Sequence, residues 1–177
     1  MRDATAATHL RMHGLPAFRA IEEGRLGFPD YARLLAALAR FHGAVGAALE
    51  AGPCARFSSA GRRLAALRRD LAHIGAPPPG APAEWTLPSG GGALGALYVA
   101  EGSMVGGRVI ARRLDYLFGT AAEGRTFFAG TAEDRPAWRR VLALLGEQRV
   151  DEAGRAEMAR GAEACFALFE ESMEARA

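Results

Sequence analysis

The chain has no lysine. Its 22 basic residues are all arginine, against 20 acidic ones, for a formal net charge of +2. So small a charge gives no general case for nucleic-acid binding. Most of the doublets Arg62-Arg63, Arg68-Arg69, Arg112-Arg113 and Arg139-Arg140 read as solvated helix faces. Only two cysteines occur, Cys54 and Cys165, far apart and in no CxxC pattern. That argues against a disulfide framework and against a zinc site. No uninterrupted apolar run reaches about 18 residues, and the first residues lack the apolar core of a signal peptide. The expected location is the cytoplasm, with no membrane partner. Ser-His-Asp order, a phosphate loop, a paired-carboxylate motif and flavin or nicotinamide motifs are all missing. β-Branched residues are sparse, which disfavours sheet.

What is present points to helices. Half of the 177 residues are hydrophobic, and alanine and leucine dominate. The length suits one domain with a full core and is short for two. The expectation is an all-α fold, a single multi-helix bundle spanning residues 1–177. Residues 1–13 suit a short helix stopped by Gly14 and Pro16, and residues 15–24 suit another short helix or turn. Residues 28–52 form the first long helix, with Leu34, Leu35, Leu38, Phe41, Val45 and Leu49 at steps of three and four. Residues 58–75 open on a serine cap and carry Leu64, Leu67, Leu71 and Ile74 on one face. Residues 76–92 are a Pro/Gly loop held down by Trp85 and Leu87. A second long helix spans residues 93–118. A loop with a buried Phe127-Phe128 pair follows, and two helices near 136–148 and 151–175 close the chain.

The stretch ALYVAEGSMVGG, residues 96–107, is unusual. It starts as a buried helix and then places Gly102, Gly106 and Gly107 within six residues. A glycine inside a helix costs roughly 1 kcal/mol relative to alanine. Gly102 and Gly106 are four apart and share a face, so something approaches the backbone there. Another tightly packed helix is one visitor. A flat ligand is the other, and three clustered glycines also permit a kink. His9 and His13 are likewise one helical turn apart, as the polar side of an amphipathic helix or as metal ligands. His42, His73, Glu101 and Cys165 carry no chemical signal of their own.

Two stretches together resemble the haem oxygenase family. RDATAATHLRMH, residues 2–13, resembles its N-terminal helix, in which a basic residue and a threonine precede the haem-ligating histidine. YVAEGSMVGGRVIARRL, residues 98–114, resembles the distal-helix signature of bacterial members, including those that partner phytochromes. GRTFFAG and FALFEE resemble later segments. The resemblance implies that haem lies between a proximal helix and a kinked distal helix. His9 would be the axial ligand, with Arg2 near a propionate and Thr5 beside the site. Gly102, Ser103 and Gly106 would form the catalytic distal face, and Gly107, Tyr98 and Phe166 would line the pocket, although Tyr98, Phe166 and Phe169 also suit the core. The distal glycines would leave room for O2 to reach a meso carbon.

The implied reaction converts haem, as cofactor and substrate, with O2 to biliverdin, CO and ferrous iron. Electrons would come from an external reductase or ferredoxin, and a phytochrome would be a possible acceptor of the product. Three positions depart from family patterns. His13 stands where many relatives carry an acid, Ser103 stands where mammalian-type members carry an aspartate, and no basic residue stands near Ala143. His13 and Ser103 keep a non-catalytic haem or tetrapyrrole carrier or sensor on the same fold as the alternative. A helical interaction domain without haem is the third reading.

Overall fold

The structure is a computed structural model that describes residues 2–88 and 91–174, without the side chains of residues 2–5 and 13. Every regular element among the described residues is helical. α1 (Arg2–His13) and α2 (Pro16–Glu22) are followed by the long α3 (Phe28–Glu50). After a 3₁₀ turn at Ala55–Phe57 come α4 (Ala60–His73) and the loop to α5 (Gly92–Gly102). A 3₁₀ turn at Ser103–Gly106 separates α5 from α6 (Gly107–Arg113). The short α7 (Asp115–Phe118) and α8 (Thr126–Ala129) precede α9 (Asp134–Glu147) and α10 (Glu152–Glu174).

The apolar stripes account for the packing. α3 is long and apolar enough to cross a bilayer by length and composition, but most of it is buried in the fold. Its C-terminal half joins α5 and α10 around Phe41, Val45, Leu97 and Cys165. Its N-terminal half joins α2, α4 and α6 around Ile21, Tyr31, Leu67 and Leu114. Trp85 and Leu87 pack the 76–92 loop against the first of these clusters. The tightest crossing is α5 on α10, and it needs small residues. A Cβ on Gly95 would overlap the Met158 carbonyl, and one on Gly161 would overlap the backbone of Gly92.

Two expectations are corrected. The helix expected over residues 93–118 is broken into α5, the 3₁₀ turn, α6 and α7, as clustered glycines allow. α4 begins at Ala60 without a side-chain cap from Ser59; the Ser58 hydroxyl accepts the Ala60 N–H at 3.3 Å, and Glu101 accepts the Ser59 N–H. Most of the doublet arginines are exposed as expected, and Arg63, at 5% exposure, is the exception. Two further charges are buried for structural ends. Asp70 accepts the Thr126 and Phe127 N–H groups and the Thr126 hydroxyl at 2.7–2.9 Å, which holds the start of α8. Arg125 donates to the carbonyls of Ala111, Gly119 and Ala121 and to Asp115, which ties off α6 and α7.

His42 is also buried, with ring centroids 4.9 Å from Phe41 and 5.4 Å from Phe127. Burial first, and the charge of Arg63 second, push its pKa well below 6.5. The folded chain therefore keeps His42 neutral while the unfolded chain takes up a proton below about pH 6.5. Stability is full above that pH and falls beneath it, by up to about 1.4 kcal/mol per pH unit. Urea denaturation at pH 7.5 and pH 5 should show the loss, and His42→Phe should flatten it. An equally steep dependence in the variant would assign the effect elsewhere.

Candidate functional site

The end of α5 is the chemically unusual part of the fold. The helix must end where the glycines begin, and its last carbonyls lose their helical partners. The Ala100 carbonyl accepts the Ser103 hydroxyl at 2.7 Å and an Arg63 guanidinium N–H. Arg63 also donates to Glu101 Oε2 at 2.9 Å, and Glu101 Oε1 accepts the Ser59 N–H at 2.8 Å. Arg63 Nε has no acceptor among the described residues. Burial lowers the Arg63 pKa, while Glu101 and Asp134 raise it. Arg62, on the outside, bonds the Ser59 hydroxyl and pairs with Asp134.

The three distal glycines have different surroundings. A Cβ on Gly102 would meet the Trp138 ring at 3.2 Å, and one on Gly107 would meet the Phe128 carbonyl at 2.9 Å. The chain itself is therefore the close visitor at both. A Cβ on Gly106 would meet nothing within 4 Å. Gly106 is exposed between Val105 (65%) and Val109 (51%). These positions form an open apolar strip along the 3₁₀ turn and α6. Ser103 is exposed at the same bend.

A hollow of about 290 Å³ lies beside this segment, lined by Glu101, Met104, Val105, Phe128 and Trp138 with Arg135 at its edge. Tyr98 is half-buried, its ring 5.4 Å from Trp138. A second hollow of about 290 Å³ lies between α1 and α10, lined by Thr8, Arg11, Glu163, Phe166 and Glu170. Phe166 is 8% exposed and belongs to the core, so it serves both places. α1 is tied to α10 by Arg11 and Glu170 at 3.7 Å. His9 is exposed on α1, next to Leu10, which is 73% exposed. The side chains of Arg2, Thr5 and His13 lie outside the described residues.

Sequence reasoning thus pointed to the α5–α6 bend but missed what holds it. Neither Arg63 nor Glu101 stood out alone. The usable signal was Arg63 at the start of the stripe Ala66, Leu67, Asp70, Leu71, where a solvated arginine does not belong.

The described residues form an all-α bundle with a glycine-bent helix and an exposed histidine on its first helix. The comparisons narrow this. No protein-family model matches the chain. It is 40% identical over 124 residues to a heme oxygenase of Xanthomonas campestris pv. campestris (strain 8004), covering 66% of this chain and 70% of the relative. Its fold matches the NO- and CO-bound heme oxygenase of Neisseria meningitidis with a TM-score of 0.75 at 23% identity, over 97% of this chain and 87% of that one. The chain belongs to the haem oxygenase family.

Proposed function

We propose that the chain is a haem-degrading monooxygenase, which converts haem, O2 and electrons to biliverdin, CO and ferrous iron. The observation that carries this reading is the 40% identity to a heme oxygenase. The residues on hand suit such a substrate. The strip Val105–Gly106–Val109 is apolar, open and free of side chain at its centre, which a flat macrocycle would cover. Haem, when bound, supplies the iron at which O2 is activated.

His9 on α1 is the proposed axial ligand, with Leu10 beside it to meet the ring edge. The 3₁₀ turn offers Ser103 and Gly106 as the opposite wall, with Val105 on the turn and Val109 on α6 to exclude water, and Gly102, the last residue of α5, lies behind it against Trp138. Gly107, pressed on Phe128, shapes that wall from behind. Tyr98 and Phe166 support the two sides, and Arg2 and Thr5 are assigned to the proximal end on the family resemblance alone. The whole reaction is assigned to one domain over residues 1–177, working in the cytoplasm. The absence of a flavin or nicotinamide motif motivates an external reductase or ferredoxin as electron donor. A phytochrome as acceptor of biliverdin is motivated by the distal motif.

Haemin supplied with ascorbate or a reductase tests the reading. The Soret band should decay as biliverdin and free iron accumulate. Haem that binds and is never degraded would overturn it.

A further inference from the structure

α5 ends where its carbonyls need new donors. Arg63 and Ser103 both donate to the Ala100 carbonyl, and Arg63 reaches it from a different helix. Glu101 fixes the guanidinium with one oxygen and the Ser59 N–H with the other. The cation therefore sits at the C-terminal end of α5 and the anion at the N-terminal end of α4. Each helix end favours the charge placed on it. Both side chains are nearly dry, Arg63 at 5% and Glu101 at 3% exposure. α4 packs chiefly on α3 and α8, so this cluster is a specific bridge to α5. It meets α5 within two residues of Gly102.

We propose that Arg63, Glu101 and Ser103 are positioning residues for the distal bend. They fix the point at which α5 gives way to the 3₁₀ turn, and so the placement of Gly106 against haem. This rests on the haem-degrading reading. It also gives Ser103 a defined duty: its hydroxyl proton is directed to its own helix, and its lone pairs remain open as acceptors. Glu101 and Arg63 act through the backbone and need not touch the substrate.

The test uses the full chain with Arg63→Met, Ser103→Ala, Glu101→Gln and Arg63→Lys. Hydrogen exchange is first read without haem. Amides of residues 103–107 should exchange about tenfold faster in Arg63→Met and Ser103→Ala, with α3 unchanged. Glu101→Gln, which keeps an acceptor for Ser59 but lacks the charge that anchors Arg63, should show a smaller rise of the same kind. Turnover is read next. In Arg63→Met haem affinity should stay within about threefold of the parent, while in both that variant and Ser103→Ala kcat falls about tenfold and the biliverdin isomer ratio shifts. Arg63→Lys, which keeps a donor for Ala100, should recover part of both effects. Exchange that is unchanged at 103–107, or raised equally throughout the chain, overturns the proposal. So does a parental isomer ratio and kcat in both Arg63→Met and Ser103→Ala. If Arg63→Met does not fold, Ser103→Ala and Arg63→Lys decide by the same readouts. A parent chain that never degrades haem sinks the enzyme reading, while the exchange data still decide what holds the bend.

Discussion

His9→Ala is expected to lose haem turnover by at least about 100-fold while leaving the fold intact. The two halves of that result have separate causes. His9 is an exposed residue of α1, so its removal opens no core cavity. Alanine is also the best helix former, and the thermal midpoint should hold. The iron, by contrast, would lose its proposed protein ligand. The histidine-type Soret spectrum should disappear, and added imidazole should restore it along with part of the activity. A variant that keeps both spectrum and turnover would move the ligand elsewhere, with His13 next to be tested by the same substitution.

The helix order was legible because apolar spacing survives in any helix that packs. Leu34, Leu35, Leu38, Phe41, Val45 and Leu49 mark the buried side of α3 without reference to any partner. The clustered glycines permitted a kink within residues 93–118 but did not by themselves indicate that the helix breaks into separate elements. What periodicity does not say is which object meets a face. Gly95 and Gly161 are the pair that seat one helix on another, and they lie on α5 and α10, far apart in sequence. Gly102 and Gly107 meet a tryptophan ring and a carbonyl, and only the folded chain brings Trp138 and Phe128 to them.

Arg63 departs from the solvated doublets for a simpler reason. Neighbouring helix residues point about 100° apart, so a doublet cannot share one environment. Arg62 remains 43% exposed at its side chain while Arg63 is buried against Glu101. An ion pair between α4 and α5 is a long-range fact that no local pattern contains. Its trace was the charge of Arg63 on a buried stripe, and Asp70 on the same stripe marks the separate contact with α8.

Gly95→Ala and Gly106→Ala should separate the two uses of glycine with opposite results. At Gly95 the new methyl would overlap the Met158 carbonyl and lie 2.7 Å from the Ala162 backbone nitrogen. Backbone cannot rotate out of the way, so α5 and α10 must part. The expected cost is about 3 kcal/mol or more, a large share of the roughly 5–15 kcal/mol that holds a domain together. That corresponds to a fall in melting temperature of about 10 °C. At Gly106 the backbone is already near-helical, with φ −83° and ψ −14°, and the methyl would meet nothing. Stability should hold or rise by a few tenths of a kcal/mol up to about 1 kcal/mol, because alanine orders more cheaply than glycine. Turnover should nevertheless fall at least about tenfold, because the methyl stands on the face proposed to meet haem. Thermal melts and a haemin turnover assay on the same preparations read both arms. A stable Gly95→Ala would mean that the α5–α10 crossing is looser than the structure has it. A Gly106→Ala variant with parental turnover and isomer ratio would remove haem from the distal strip.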